Sequence, residues 1–492
     1  MPETQERKKR ICIAASECVP FAKTGGLADV CGSLPKALAE IDCEVKLFMP
    51  MYKPVKIDQY GFKLMDEFGG MDVRLGEKHV EFGLWHSTLP GSDVDVYLVD
   101  CPQYFHRDSI YTNDPDEGER FILFQIAVLE GLQRMEWSPD IIHCNDWQTA
   151  LIPVYLKTNY KWDGLFEGTK SLLSIHNIGY QGRFSSDLVE TANLSYSDYY
   201  QGGPYEFDGT FSFLKSGILF ADVITTVSPT YALEIQTPEY GAGLDGVLSA
   251  RSDHLFGILN GIDTDVWDPD KDAFIRYNYN VDTIEFKQND KIDLFKRLER
   301  EFDPDIATIG VISRLTGQKG LELMEPIFAD LMNMRLQFVI LGSGEDKYEN
   351  FFNIANYSYA SKFLTYIGYS NELSHLMTAG CDMILMPSRY EPCGLNQMYA
   401  LAYGTVPVVR ATGGLADTVI DLSADPYNGN GFSFYDFTSD ALLDAVRRAV
   451  DTYSNKQLWH KVMQRGMRED FSWKKSAGKY VELYDKLINN SI

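Results

Sequence analysis

Three positively charged side chains stand beside glycine-containing turns, where an anion could bind. Lys23 directly precedes the glycine pair of KTGGLAD, and Arg314 and Lys319 occur with Gln318 in GVISRLTGQKG. An arginine fork and a lysine point charge suit the oxygen atoms of a diphosphate. Each cation alone is more often a solvated surface charge, because charged side chains mostly lie at the surface. Together, in a chain that is otherwise acidic, they favour a diphosphate site.

Polar side chains also follow two predicted strands of the first half. Asp146 comes after IIHCN, and His176 and Asn177 end SLLSIHN. The carboxyl ends of parallel strands border the crevice in which open α/β sheets bind ligands, so these residues are candidates for substrate contact. Asp146 could instead cap the helix that begins near Trp147. His176 could be a hydrogen-bonded core histidine, and the sequence leaves both alternatives open.

Glu391 is the candidate carboxylate of the second half. It follows MILMPS in PSRYEPCGLNQMYALAYG, where Pro392 restricts the backbone and Gly394 permits a close approach. A carboxylate at this position could accept hydrogen bonds from sugar hydroxyls or stabilise developing positive charge. The alternative is a helix-start carboxylate that the helix dipole favours.

Metal and disulfide patterns are weak. Asp263-Thr264-Asp265 and Asp268-Pro269-Asp270 could bind a metal with a nucleotide diphosphate, but they lie in a polar connector of a chain with 70 acidic residues. Chance is the better explanation. The eight cysteines form no C-x-x-C pair, which predicts a reduced, cytosolic chain without a zinc site.

Parallel sheets are expected to position these residues. Short apolar, β-branched runs recur along the chain, and helical patterns such as FILFQIAVLEGLQRM lie between them. Runs that are apolar on both faces and separated by helices predict α/β domains whose sheets are covered on both sides. A polar stretch at roughly 259 to 305 separates two groups of strands. We therefore expect two doubly wound, Rossmann-like halves.

An internal repeat supports the division into two halves. The segment TGGLAD occurs at 24–29 and again at 412–417. Each copy follows a predicted strand and opens a predicted helix, where backbone N–H groups and the helix dipole can hold an anion. Both halves could therefore present a glycine turn to a ligand. The alternative is that glycine only supplies a positive φ for a tight turn.

Composition limits the classes of function. The 492 residues suffice for two large domains or three smaller ones, and 45% hydrophobic with 23% charged residues is ordinary for a globular chain. The net charge of −25 predicts repulsion of nucleic acids and anionic membranes. The N-terminal MPETQERKKR has no apolar signal region after it, and no run reaches the ~20 residues of a spanning helix. We expect a soluble, cytoplasmic protein.

Several ordered segments together resemble one enzyme family. They are KTGGLADV at 23–30, HNIGYQG at 176–182, NGID at 260–263, SRLTGQKG at 313–320, PSRYEPCGLNQMYALAYG at 387–404 and TGGLAD at 412–417. They resemble bacterial glycogen synthases and starch synthases, glycosyltransferase family five. The resemblance implies the GT-B arrangement, with two Rossmann-like domains facing across a cleft. It also implies retaining transfer of glucose from ADP-glucose to the nonreducing end of an α-1,4-glucan, with no cofactor and no metal.

The resemblance further implies domain limits and residue roles. Residues 1–256 would form the acceptor-side domain, to which 471–492 would cross back, and 257–470 would bind the nucleotide sugar. The donor site would comprise Lys23, Gly25, Gly26, Tyr369 stacked on the base, and the backbone N–H groups of Cys393, Gly394 and Leu395. Arg314 and Lys319 would bind the diphosphate, Glu391 and His176 would hold the glucose, and Asp146, Asn177 and Tyr104 would lie on the acceptor side.

Three departures from related patterns bear on the details. Gln148 stands where many relatives have histidine, and Asn396 where threonine is frequent. These two departures leave parts of acceptor and donor binding open. Tyr399 stands where a related retaining family has a second glutamate, which favours a synthase over trehalose-, sucrose- or lipid-type transferases.

Alternative functions remain. The chain could be a catalytically silent glucan-binding protein, a UDP-glucose-dependent transferase, or a glucan phosphorylase, which would carry pyridoxal phosphate. Retention could proceed through a tight ion pair or through a covalent intermediate on Asp146 or Glu391. The cations Arg314 and Lys319 favour the ion pair, because they suit a departing diphosphate.

Overall fold

The computed structural model describes residues 7–301 and 303–492. The chain divides into two compact units. The first extends to Val227 and also includes Ala232–Gly261 and Trp473–Ile492, whereas the second comprises Ser228–Tyr231 and Ile262–Ser472. The chain therefore passes between the units a few residues after the predicted limits at 256 and 470.

The first unit is built around a large sheet with a parallel centre. Its strands are β1 Lys9–Ala14, β2 Cys43–Pro50, β3 Lys63–Leu64, β4 Met71–Leu75, β5 Lys78–Thr88, β6 Asp95–Asp100, β7 Ile141–Asn145, β8 Lys170–Ile175, β9 Arg183–Phe184, β10 Glu206–Phe207, β11 Thr210–Ser212, β12 Val223–Thr226 and β13 Leu255–Gly257. The main sheet has the order β13-β12-β8-β7-β1-β2-β6-β5-β3, with β4 paired to β5. The chain builds outward in opposite directions from β1 and β7. Their carboxyl ends thus border a topological switch point, where such sheets bind ligands.

Helices cover this sheet. They are α1 Gly26–Glu40, α2 Pro102–Phe105, α3 Glu117–Arg134, α4 Ile152–Lys157, α5 Leu188–Thr191, α6 Phe213–Phe220 and α8 Asp245–Ser249, whereas the first half of α7 Pro229–Glu234 is assigned to the second unit. The run FILFQIAVL makes most of α3 apolar all round, and the helix is almost fully buried, as such a pattern requires.

The second unit is a fully parallel, doubly wound sheet. In chain order it contains α9 Lys287–Arg297, β14 Ala307–Ile312, α10 Phe328–Asn333, β15 Leu336–Gly342, α11 Asp346–Ser358, β16 Phe363–Ile367, α12 Asn371–Gly380, β17 Met383–Met386, α13 Asn396–Ala402, β18 Val406–Arg410, α14 Gly413–Thr418, β19 Phe432–Phe434, α15 Ser439–Tyr453 and α16 Lys456–Met467. Its order β16-β15-β14-β17-β18-β19 is that of a Rossmann sheet, with the switch point between β14 and β17. The predicted pair of Rossmann-like halves is confirmed.

The last helix, α17 Trp473–Ile488, belongs to the first unit. It packs on α1 and on the central strand β7, where the Tyr484 hydroxyl lies 2.8 Å from Nδ1 of His143. Burial lowers the pKa of His143 to about 3, so its ring is neutral. The segment that the resemblance assigns to a return crossing therefore contributes to the core behind β7.

The polar connector is more ordered than a solvated loop. Asp272 is buried and accepts from the Tyr403 hydroxyl at 2.6 Å, and it lies 2.8 Å from Nδ1 of His375. The Asp-x-Asp triplets form local turns, in which Asp263 accepts from the backbone N–H two residues later. Across the described residues, no group of three or more His, Cys, Asp or Glu is placed to hold a metal ion. In the same residues, no helix is long and apolar enough to cross a membrane.

Candidate active site

Two carboxylates lie at the switch point of the first unit. Glu17 follows β1 and Asp146 follows β7, the neighbouring strand. Glu17 is buried, and it accepts from the backbone N–H groups of Thr24 and Gly25, the latter at 3.0 Å. The Tyr111 hydroxyl donates to its other oxygen at 2.5 Å. Sequence reasoning missed Glu17, although an acid just beyond the first strand of a doubly wound domain was a usable signal.

Asp146 is held in a strained backbone conformation. Its φ is 56°, which is uncommon for a residue other than glycine and is often found at functional sites. Its carboxylate accepts from the backbone N–H of His176 at 2.7 Å and from that of Asn177. It makes no capping bond to the turn Trp147–Thr149, so the capping alternative is wrong. Burial, and secondarily the charge of Glu17, raises the pKa of Asp146 to about 7.

His176 lies beside this carboxylate as a neutral ring. Burial lowers its pKa to about 4. Its Nε2 lies 2.9 Å from Oδ1 of Asn145, whose amide nitrogen donates to Ala14 O, so the network assigns the proton to Nε2. Nδ1 is then a hydrogen-bond acceptor that suits a hydroxyl group. The structure thus places His176 and Asn177 next to Asp146.

The first glycine turn is open. Neither at Gly25 nor at Gly26 would an added Cβ meet any atom within 4 Å. The φ of Gly25 is −141°, which any residue adopts. Lys23 forms an ion pair with Asp29 at 2.7 Å, and about half of its side chain is exposed. Neither internal packing nor backbone conformation therefore requires a glycine at position 25.

The second glycine turn is closed. A Cβ at Gly413 would lie 1.9 Å from the carbonyl oxygen of Glu391, and one at Gly414 would lie 2.1 Å from that of Cys393. Gly413 also has a φ of 45°. This copy of TGGLAD therefore serves close packing against the loop that carries Glu391.

An ion pair occupies the switch point of the second unit. Lys319 Nζ lies 2.6 Å from Oε2 of Glu391, and both side chains are largely buried. The Ser388 hydroxyl donates to the same oxygen at 2.9 Å. Lys319 comes from the turn after β14 and Glu391 from the loop after β17, so the strand order brings them together. The predicted cation and carboxylate are direct partners.

A cavity of about 180 Å³ lies beside this pair. Its lining includes Arg314, Lys319, Ser388 and Asn396. Arg314 is exposed, and its guanidinium makes no hydrogen bond or ion pair with another described residue. Asn396 donates to the carbonyl of Ile312 at 2.6 Å. The amide at this position thus ties the start of α13 to the end of β14.

The remaining predicted donor residues lie in the second unit. Cys393 is buried, Gly394 has a φ of 72°, and Leu395 directly precedes α13. Tyr369 follows β16 and is 83% exposed, so its ring face is accessible.

Two residues of the first unit are buried in ways that the sequence did not reveal. Tyr104 donates its hydroxyl to Glu119. The Tyr104 hydroxyl, which a contact with the glucan acceptor would use, therefore already donates to a protein carboxylate. Gln148 is buried near Asp146 in sequence, and its Oε1 has no hydrogen-bond partner among the described residues.

Comparison with known proteins decides the family. A family model described as the starch synthase catalytic domain matches residues 10–250, and a model of glycosyl transferases group 1 matches residues 294–464. The chain is 45% identical to a glycogen synthase of Thermosipho africanus, over 98% of this chain and 99% of that protein. It is 46% identical to a glycogen synthase of Moorella thermoacetica, over 97% of each. The chain belongs to the glycogen and starch synthase family.

A solved structure agrees with this assignment. The catalytic domain of starch synthase IV from Arabidopsis thaliana, bound to ADP and acarbose, matches with a TM-score of 0.89 and 33% identity. The match covers 98% of this chain and 99% of that chain. The predicted membership is confirmed, and the protein is a glycosyltransferase of this family with two Rossmann-like domains.

Proposed function

We propose that this family member transfers glucose from ADP-glucose to the nonreducing end of an α-1,4-glucan, with retention of configuration, in the cytoplasm. The named relatives are glycogen synthases, and the similar starch synthase was solved with ADP and acarbose. Those names support a nucleotide-sugar donor and a glucan acceptor for this chain. A catalytically silent protein would need no cations around the cavity of the second unit.

The observation that carries the proposal is the cluster of Arg314, Lys319 and Glu391 at the β14/β17 switch point. The two cations would bind the diphosphate and stabilise the charge that develops on it as it leaves. Preorganised charges of this kind act in the transition state without further rearrangement. Glu391 would accept from the hydroxyls of the glucose while it also orients Lys319.

The first unit would contribute the acceptor side. His176 Nδ1 can accept from a sugar hydroxyl, and an ionised Asp146 can accept more strongly, because hydrogen bonds to charged groups are stronger than neutral ones. Lys23, Gly25 and Gly26 would contact the donor through an ammonium and an open backbone. Tyr369 would stack on the base, and Cys393, Gly394 and Leu395 would complete the sugar pocket.

Retention is proposed to follow the ion-pair route. The departing diphosphate, held by Arg314 and Lys319, would take the proton of the acceptor hydroxyl on the face from which it left. The bond from the anomeric carbon to the diphosphate breaks, and the bond to the acceptor oxygen forms on the same face. Trapping a glycosyl adduct on Asp146 or Glu391 would instead establish a covalent route.

The donor is tested by measuring labelled glucose transfer to glycogen from ADP-glucose and UDP-glucose side by side. We expect a clear preference for ADP-glucose, because the first glycine turn with Ala28 resembles that of bacterial enzymes. Equal use of both donors would contradict the preference. No incorporation from either donor would refute the synthase proposal and favour a silent glucan-binding protein.

The two glycine turns predict opposite results for alanine. Gly25→Ala is expected to leave thermal unfolding unchanged and to raise KM for the nucleotide sugar, since its Cβ meets no protein atom. Gly414→Ala is expected to destabilise the fold, because its Cβ would overlap the carbonyl of Cys393. Gly246→Ala is the matched control, because its Cβ is also unobstructed and it lies in α8. A Gly25→Ala enzyme with the parent's KM would remove Gly25 from the donor site.

A further inference from the structure

Arg410 is a buried arginine that neither the motifs nor the charge pattern singled out. It ends β18, the strand next to β17, and only 8% of it is exposed. Its guanidinium donates to main-chain carbonyls on both sides: Nε to Tyr435 O at 3.0 Å, and Nη1 to Arg389 O at 2.5 Å and Ser388 O at 3.5 Å. Arg410 therefore binds the backbone at the start of the loop that carries Glu391.

The opposite side of this loop is attached to the turn that carries Lys319. The backbone N–H of Arg389 donates to Gln318 O at 2.9 Å, and the Gln318 amide donates to Tyr390 O at 3.4 Å. The loop is thus bound between Arg410 and the residue that directly precedes Lys319. A shift of Ser388 or Arg389 would change the distance between Glu391 and Lys319.

Phe437 joins the same arrangement. The guanidinium of Arg389 lies 4.2 Å from its ring centroid, and that of Arg410 lies 5.5 Å away. A Cβ at Gly320 would lie 3.0 Å from this ring and 1.9 Å from Pro387 O. The turn with Lys319, the loop with Glu391 and Arg410 therefore pack against one another with little free space.

We propose that Arg410 is a positioning residue for glucosyl transfer: by holding the carbonyls of Ser388 and Arg389, it fixes the geometry of the Lys319–Glu391 pair. This inference rests on the roles proposed above for Lys319 and Glu391. Arg410 acts through the loop and is not assigned a contact with substrate. Placement errors of about 1 Å at a reacting group can cost on the order of 10²-fold in rate.

The test is a double-mutant cycle with Arg410→Gln and Glu391→Gln in the full chain, using steady-state glucosyl transfer and thermal unfolding. Arg410→Gln is expected to lower kcat by about 10- to 100-fold while KM for the nucleotide sugar stays close to that of the parent. The double variant is expected to be no slower than Glu391→Gln alone, because the misplaced group is then already absent. Arg410→Lys, which retains a charge but loses the fork, is expected to be intermediate.

Arg465→Gln is the matched control. Arg465 also holds a loop of the second unit through two carbonyls, Gly429 O at 2.9 Å and Pro426 O at 3.0 Å, but that loop carries no predicted site residue. Arg465→Gln should lower the unfolding temperature and leave kcat at the parent value, and its effects should add to those of Glu391→Gln.

The outcomes distinguish failure of the positioning role of Arg410 from failure of the proposed site. A parent-like kcat for Arg410→Gln would overturn the positioning role, and so would additive effects of Arg410→Gln and Glu391→Gln on kcat. Arg410 would then contribute only to the stability of the fold. If Arg410→Gln does not fold, Arg410→Lys takes its place in the cycle with the same criteria. If Glu391→Gln and Lys319→Ala themselves turn over like the parent, the proposed site is wrong, and the role of Arg410 falls with it.

Discussion

Arg314→Ala is expected to lower kcat by about 10²–10³-fold, since a preorganised charge on a developing anion is typically worth ~3–4 kcal/mol. Its stability should change by no more than about ±0.5 kcal/mol. The reason is that the Arg314 side chain is exposed and has no partner among the described residues, so its removal leaves no buried group unpaired. Steady-state transfer and thermal unfolding of the same preparation measure both quantities.

Lys319→Ala is expected to lose as much activity but also to lose stability. The sequence alone predicts an intact fold for both variants, and the structure changes that expectation for Lys319. Its partner Glu391 is 8% exposed at the side chain, and removal of one member of a buried pair costs up to about 3–5 kcal/mol. Lys319→Ala in a Glu391→Gln background should recover much of the stability but none of the activity. Turnover of the Arg314 and Lys319 variants within a few fold of the parent would refute the diphosphate assignment.

The parallel core could be predicted because its strands are apolar on both faces. IIHCN and MILMPS became β7 and β17, and the polar residues after them reached the switch points. The antiparallel edge of the first unit was missed. In β5, Val80, Phe82 and Leu84 alternate with more exposed residues, so a period of two was present in the sequence. Continuous apolar runs do not mark such a strand, because only one of its faces is buried.

The repeated TGGLAD segment shows that an identical local sequence does not determine the surroundings of a glycine turn. Identical residues follow a strand and open a helix in both units, yet one turn is open and the other is filled by the carbonyls of Glu391 and Cys393. The difference depends on which loop lies next to each turn. That neighbour is set by strand order, which the local sequence does not contain.

Contacts between specific side chains could not be predicted from the sequence either. Lys319 and Glu391 are 72 positions apart, and Glu17 binds the turn that it precedes. Sequence patterns placed most of these residues at strand ends but could not say which would contact each other. For the same reason the sequence predicts that Lys23 contacts an anion at the glycine turn but does not reveal its ion pair with Asp29.

Protonation of Asp146 is expected to limit the reaction on the acid side of neutrality. Burial raises the pKa of this carboxyl to about 7, two backbone N–H groups oppose that rise, and the charge of Glu17 adds to it. Because the ionised form is the stronger acceptor for a glucan hydroxyl, activity should fall as the pH drops below about 7. kcat/KM for the acceptor should then decrease about tenfold per pH unit.

Two variants test this assignment through pH profiles of kcat/KM for the glucan acceptor. Asp146→Asn should be slower by about 10- to 100-fold, the worth of a hydrogen bond to a charged group, and its profile should lack the acid limb. Glu17→Gln should move that limb to lower pH, because the neighbouring negative charge that raises the pKa of Asp146 is gone. Glu130→Gln is the control: Glu130 lies in α3 and accepts a hydrogen bond from the Tyr160 hydroxyl, and its replacement should leave the acid limb in place. An acid limb that persists in Asp146→Asn would assign the titration to another group. Asp146 would then be only the acceptor of the two backbone N–H groups that directly follow β8.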